Sequence, residues 1–310
     1  MASKTGPVAL VTGASSGIGE AAARELAAAG FTVYGTSRKA AAGEQRDGVV
    51  FLPLDVTDDD SVAAAVREVI DRSGRIDVLV NNAGLGIAGA AEESSIEQAR
   101  ALFDTNVFGS IRMTRAVLPQ MREQGSGRII NISSVLGLVP APFGALYAAT
   151  KHAIEGYSES LDHEVREHGI RVLLVEPGFT KTGFDASLAA ADEPLPLYAR
   201  RREIVDVGLA DALKAGDEPS VVGQAIVAAA TDKRPKLRYP AGSLARRVSK
   251  ARRYLPATIF DKQIRKINQL NRPASTTVSS PERKTSNGQP MSLQAPHAGS
   301  HRQQAGGEGL

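Results

Sequence analysis

Val8-Ala9-Leu10-Val11-Thr12-Gly13-Ala14-Ser15-Ser16-Gly17-Ile18-Gly19 is the stretch on which the fold turns. Its four leading apolar residues form a short buried strand, and the glycines that follow mark a tight turn into a helix running to about Gly30. Glycines in such a turn let backbone N–H groups approach a pyrophosphate at the positive end of the helix. Outward from it, short apolar runs recur at Thr32–Gly35, Val49–Leu54, Ile76–Val80, Arg128–Ile132, Arg171–Val175 and Lys236–Tyr239, with Ala-rich helical stretches between nearly all of them. Seven strands joined by helical crossovers lie parallel with helices on both faces, so a Rossmann-like doubly wound α/β sheet in a single domain over residues 1–240 is expected. Ligands in that architecture sit beyond the carboxyl ends of the strands, which makes the residues just after each run the candidates for chemistry.

The chain has 310 residues and is 42% hydrophobic, ample for a buried core. It holds no cysteine, which excludes a disulfide framework and a thiolate metal site, and no metal is expected. Met1–Pro7 shows no basic-then-apolar leader and no stretch of bilayer length follows, so a soluble cytoplasmic protein is expected. A net charge of +3 hides a local imbalance: residues 233–272 hold thirteen Lys/Arg and one acid, Asp261. Residues 241–271 read as a basic helical extension divided by Pro256. Residues 272–310, rich in Ser, Gln, Gly, Pro and Thr, read as a disordered tail. Between them and the early strands, residues 179–217 interrupt the strand rhythm with Phe184, Leu188, Leu195, Leu197 and Tyr198, as a substrate-covering lid would.

The second strand ends at Ser37-Arg38 with no carboxylate. A site for NAD uses an Asp or Glu to accept from the ribose 2′-hydroxyl, whereas a 2′-phosphate attracts arginine, so NADP(H) is the expected cofactor. Asp55-Val56 follows the third strand, and Asp55 either accepts from the adenine amine or caps the helix beginning near Asp58. Tyr147 and Lys151 stand four residues apart at the start of a helix and share one face. An ammonium beside a phenol favours the phenolate and draws its pKa toward the working range, so Tyr147 is placed to exchange a proton with a carbonyl oxygen.

Thr12 to Gly19, Asn81-Asn82-Ala83-Gly84, Asn106, Ser134, Tyr147, Lys151 and Pro177-Gly178 together resemble, in order and spacing, the short-chain dehydrogenase/reductase family, over residues 8 to about 240. The resemblance implies a catalytic set of Asn106, Ser134, Tyr147 and Lys151. Ser134, chosen over Ser133 because the family's serine lies thirteen residues before its tyrosine, would hydrogen-bond the substrate oxygen. Tyr147 would pass the proton, Lys151 would lower the tyrosine pKa and hold the nicotinamide ribose, and Asn106 would anchor a water leading to Lys151. It also implies a cofactor site from Gly13, Ser15, Ser16, Gly17, Ile18 and Gly19, then Ser37, Arg38, Asp55 and Val56. Asn82, Ala83 and Gly84 would form the adenosine-side floor, and Pro177, Gly178 and Thr180 or Thr182 would meet the carboxamide. Thr180 departs from the aliphatic residue usual at its place, which leaves the two threonines open.

The Phe31–Arg38 segment and the lid resemble the hydroxysteroid and retinol dehydrogenase branch. By the family layout Leu85, Ile87, Leu138, Val139, Pro142, Phe143, Phe179, Phe184, Leu188 and Leu197 would line or cover the pocket, which favours an apolar carbonyl or alcohol substrate. The family is usually dimeric or tetrameric, and a homodimer or homotetramer is expected. A sugar-nucleotide epimerase would carry a different glycine spacing and a larger C-terminal domain. An enoyl reductase would space tyrosine and lysine more widely, and a non-catalytic NADP sensor would not need an intact Ser134, Tyr147 and Lys151. Residues 244–267 alternate cations with apolar residues and suit either packing against this chain or a second subunit, or contact with an anionic membrane. Nucleic acid is not expected as a partner, because no recognition motif accompanies the charge.

Overall fold

Strand β1 (Val8–Val11) is buried along its whole length, with Val8 and Leu10 in one core layer and Ala9 and Val11 in the other. A strand covered on both faces reads as a continuous apolar run, the pattern that marked it in the sequence. The computed structural model describes residues 6–183, 188–268 and 270, all of them within one compact unit. The expected tail at 272–310 and the lid residue Phe184 lie outside the described residues.

After β1 come α1 (Gly17–Ala28), β2 (Thr32–Ser37), β3 (Gln45–Arg46), β4 (Val49–Pro53), α2 (Asp59–Ser73), β5 (Val78–Asn81) and β6 (Gly86–Ala88). The chain continues through α3 (Ile96–Phe103), a five-residue π turn (Asp104–Phe108), α4 (Gly109–Gln124), β7 (Gly127–Ile132), α5 (Ala145–Val165) and β8 (Ile170–Pro177). Then follow β9 (Leu188–Ala190), α6 (Ala199–Lys214), α7 (Pro219–Thr231), β10 (Arg238–Ala241), α8 (Ser243–Tyr254) and α9 (Ala257–Ile267). The main sheet runs β10-β8-β7-β5-β1-β2-β4-β3 and is parallel except for the β3–β4 pair. Val62, Val66, Met113, Val117 and Leu161 of α2, α4 and α5 fill one layer, and Ala22, Leu26, Val222 and Ile226 of α1 and α7 fill the other.

All seven expected strands are present. Three short ones were not anticipated: β3, two exposed polar residues at the edge of the main sheet with no apolar pattern to announce it, and β6 and β9, three residues each, which pair in a small second sheet. Strand β1 pairs with β2 on one side (Val8↔Thr32) and with β5 on the other (Ala9↔Val78), so the direction of winding reverses beside it. That reversal opens a crevice at the carboxyl ends of β1 and β5, where the Gly13–Gly19 turn begins.

Candidate active site

Thr12 ties the two glycine-containing segments together. It is buried, and its Oγ1 accepts the N–H groups of Asn82 at 2.9 Å and Ala83 at 3.0 Å. Asn82 answers by donating from Nδ2 to the carbonyls of Thr12 at 2.9 Å and Gly13 at 3.2 Å. Gly13 and Gly17 have φ of 65° and 60°, left-handed values that favour glycine. Gly19 admits no side chain at all, since a Cβ there would lie 2.2 Å from the Gly13 carbonyl oxygen. Ser16 is the N-cap of α1 but makes no side-chain cap, and Ser15 and Ser16 are exposed. The backbone N–H groups of the first turn therefore face the crevice without a serine oxygen on them, and this cradle fits a dinucleotide pyrophosphate. Ile18 instead packs half-buried against the core.

At the end of β2, Ser37 accepts the Lys39 N–H at 3.2 Å, and Arg38 is exposed with its charge acting on Asp55. The two readings of Asp55 part here. Asp58 is the cap of α2, accepting from Ser61 at 2.6 Å, while Asp55 accepts from the Thr57 N–H and hydroxyl at 2.9 and 2.7 Å. Those two Thr57 hydrogen bonds hold the Asp55 carboxyl below its ordinary pKa. Val56 turns its side chain into the core against Gly109, and its carbonyl accepts from Arg112 at 3.5 Å. Gly84 approaches the Asn106 amide, where a Cβ would sit 3.3 Å from Oδ1.

Asn106 occupies the π turn between α3 and α4, a local widening that aims it inward. Its Oδ1 accepts the Leu85 N–H at 2.8 Å, and its Nδ2 donates to the Leu85 carbonyl at 2.9 Å and to Thr150 Oγ1 at 3.2 Å. The side chain thus fastens the segment after β5 to α5, a binding role the sequence did not suggest.

Ser134 follows β7 and caps a short 3-10 turn through the Leu136 N–H at 3.1 Å, and it also hydrogen-bonds Tyr147. Lys151 is buried, donates from Nζ to the Ile132 carbonyl at 2.9 Å, and places Nζ 5.5 Å from the centre of the Tyr147 ring. The structure brings Ser134, Tyr147 and Lys151 together at the carboxyl end of β7. It differs from expectation in the balance at the phenol: burial pushes Tyr147 up to about 12, against the pull of the Ser134 hydrogen bond. Burial likewise takes Lys151 down to about 8, opposed by the charge of Glu155. Removing both groups from water outweighs the neighbouring charge, so Tyr147 keeps its proton at neutral pH.

At the end of β8, Pro177 pairs with Ala241, and Gly178 just after it lies against Leu244. Thr180 is buried and donates to the Gly178 carbonyl at 3.2 Å, whereas Thr182 lies over the glycine turn, its Cβ 3.2 Å from where a Gly17 Cβ would be. Of the two threonines, it is Thr182 that faces the crevice.

The segment expected as a lid is tied to β6 and to α3 by residues that sequence reasoning missed. Strand β9 pairs with β6 (Gly86↔Leu188), Asp192 accepts from Ser95, and Gln98 donates to the Ala190 carbonyl at 2.8 Å. Glu93, fully buried, receives the N–H groups of Ala90 at 2.9 Å and Leu195 at 2.7 Å and pairs with Arg202 of α6. Tyr198 meets Phe143 edge-on at 5.9 Å, and Phe143 holds φ of 62°, a strained value for a side-chain-bearing residue. Leu197, expected in the cover, is 71% exposed. A lone Glu or Arg in a polar stretch carries no sequence signal of burial, which is why Glu93 and Arg202 went unnoticed.

Residues 7–193 match the family described as short chain dehydrogenase. A 3-ketodihydrosphingosine reductase from Bacteroides thetaiotaomicron is 39% identical over 265 residues, covering 83% of this chain and 96% of that protein. Human retinol dehydrogenase 8 is 37% identical, covering 74% of this chain and 79% of its own. Among solved structures, a short-chain dehydrogenase from Streptomyces avermitilis superposes with a TM-score of 0.71 at 38% identity, over 87% of this chain and 98% of that one.

Proposed function

This chain belongs to the short-chain dehydrogenase family, and on that premise we propose that it is an NADP(H)-dependent oxidoreductase moving hydride between the nicotinamide and an apolar carbonyl or alcohol. The observation that carries the reading is the Ser134–Tyr147 hydrogen bond standing over buried Lys151. Hydride arrival at a carbonyl carbon builds negative charge on its oxygen, and two hydroxyls within hydrogen-bond reach of each other can both donate to that oxygen and stabilise the charge. Tyr147 holds its proton at neutral pH and gives it to the substrate oxygen in the reduction, taking it back in the reverse reaction. Lys151 supplies positive charge beneath the phenol as the proton leaves, and Asn106 keeps α5 registered against the segment after β5.

The residues that would hold the cofactor fit it. Gly13, Ser15, Ser16, Gly17, Ile18 and Gly19 shape the pyrophosphate cradle, Asn82, Ala83 and Gly84 make the floor, and Asp55 with the Val56 backbone sits at the adenine end. Lys151 and Tyr147 serve the ribose, and Pro177, Gly178 and Thr182 the carboxamide. Ser37 and exposed Arg38, with no carboxylate beside them, favour a 2′-phosphate. An apolar substrate is supported by buried Ile87 and Val139, by Phe143 under Tyr198, and by relatives named for 3-ketodihydrosphingosine and retinol.

Two surfaces bear on partners. Phe108 is 51% exposed beside Ile96, Ala99 and Phe103 in a shallow apolar depression, which supports self-association through that face. Helix α9 has no buried residue, and Tyr254, Leu255, Ile259 and Ile267 are exposed among Arg246, Arg247, Lys250, Arg252, Arg253, Lys262, Arg265 and Lys266. Among the described residues nothing buries that face, and its charge complements an anionic membrane surface. No helix among the described residues is long and apolar enough to cross a membrane.

A panel of ketones, aldehydes and alcohols assayed with NADPH and NADH tests the reaction, and cofactor binding without turnover would favour a sensor instead. Wild type should prefer NADPH, and Ser37→Asp should reverse the preference, because a new carboxylate repels a 2′-phosphate and accepts from a free 2′-hydroxyl. Equal use of both cofactors by wild type defeats the argument from Ser37 and Arg38. Wild type should sediment with anionic vesicles at low salt and not at high salt, where exposed charges are screened within about 10 Å at 0.1 M. Failure to sediment at low salt removes the membrane reading.

A further inference from the structure

Beside the active site, α5, β8 and β10 bring together charged groups that the proposed reaction does not use. Glu155 lies one helical turn beyond Lys151, on the same face of α5, and is 5% exposed. Glu176, on β8 next to Pro177, is 0% exposed, and neither of its carboxylate oxygens receives a hydrogen bond among the described residues. Arg238 of β10 reaches both. It donates to Glu155 Oε2 at 2.9 and 3.2 Å and to Glu159 Oε1 at 2.6 Å, and its Nε stands 3.0 Å from Glu176 Oε1.

The groups facing this cluster are Lys151, Glu155 and Glu159 from α5, Glu176 from β8, Arg238 from β10 and the Ser133 hydroxyl from the turn after β7. Three carboxylates meet two cations, and two of the three are out of water. With Glu159 ionised, ionising both buried carboxylates as well sets three negative charges against two positive ones, a cost that one proton held between the buried pair removes. Burial pushes Glu176 up to about 7 and Glu155 upward as well.

We propose that Glu155 is a positioning residue for Lys151: through a proton it shares with Glu176, it sets the pH range over which Lys151 keeps its positive charge. At low pH the pair holds the proton and carries one negative charge rather than two. As pH rises through neutrality the proton leaves, and the carboxylate one turn from Lys151 then favours the ammonium where burial would otherwise strip it. Glu155 touches no reacting atom in this account and acts only through Lys151. The proposal rests on Lys151 belonging to the active site as read above.

The test follows the 13Cε shift of Lys151 against pH in the full-length protein, assigned by its loss in Lys151→Met, alongside the pH profile of kcat/KM. Glu155→Gln should lower the Lys151 midpoint by roughly one pH unit, Glu155→Asp should restore most of it, and the alkaline limb of the rate profile should move with it. An unchanged Lys151 midpoint in folded Glu155→Gln overturns the proposal. A moved midpoint in a protein without turnover upholds the coupling and overturns the proposed reaction alone. Should Glu155→Gln fail to fold, Glu176→Gln serves in its place. It removes the partner in the shared proton, so the Glu155 13Cδ midpoint, assigned with Glu155→Asp, should fall by about one pH unit or more; no fall overturns the proposal.

Discussion

The floor of the site and the segment proposed as its cover are built to different standards. The floor is made where β1, β5 and β7 end, from strands whose last four residues are all buried and side chains such as Thr12, Asn106 and Lys151 that are at most 8% exposed. The cover, α6 with β9 and the turn before it, has no buried residue in α6 and is attached through a few polar contacts centred on Glu93. The difference teaches where each job is done. Chemistry needs atoms held within fractions of an ångström and sits on packed elements, whereas admission of substrate needs a segment that opens at small cost.

The largest effect that would sharpen this contrast is on turnover. Tyr147→Phe keeps the ring and its packing but removes the group that passes a proton to substrate oxygen, so kcat should fall by about 10²–10⁴-fold while NADPH still binds by fluorescence titration. Near-normal turnover in the purified variant would defeat the mechanism. Next in size, Gly19→Ala places a Cβ 2.2 Å from the Gly13 carbonyl and 2.5 Å from Asn82 Nδ2, both parts of the floor. Overpacking against fixed atoms costs about 1–3 kcal/mol, and NADPH affinity should drop with the displaced turn; urea unfolding and binding curves matching wild type would show that the floor yields. The smallest effect on activity should come from Arg202→Ala. It leaves Glu93 buried with two N–H donors and no cation, which costs about 1–3 kcal/mol locally. Hydrogen exchange across residues 188–214 should then quicken roughly ten- to hundredfold, at 1.4 kcal/mol per factor of ten, and KM should rise several-fold with kcat little changed. If the whole protein loses stability equally, cover and floor are one cooperative unit and the contrast fails.

Much of the floor was legible in advance because its signals are local. Gly13, Gly17 and Gly19 announce a turn through the conformations and close approaches that only glycine allows, and the Tyr147–Lys151 spacing places two groups on one helical face without any tertiary information. The capping question at Asp55 was not settled that way. Asp55 and Asp58 are both plausible caps by type, and only the path of the backbone into α2 gives the role to Asp58. The two threonines after β8 differ likewise only in which way the turn carries them.

What the sequence by itself determined is the order of strands and helices, the glycine turn, and the placing of Tyr147 and Lys151 on one face of a helix, all set by residue type and spacing over a few positions. Only the tertiary structure decided the protonation balance at Tyr147, the burial of Glu93, and the meeting of Glu155 with Glu176 and Arg238, residues drawn from one helix and two strands as far as 83 positions apart. The reason is physical: the cost of taking a charge out of water depends on every group that surrounds it, and those groups come together only when the sheet has closed on its helices.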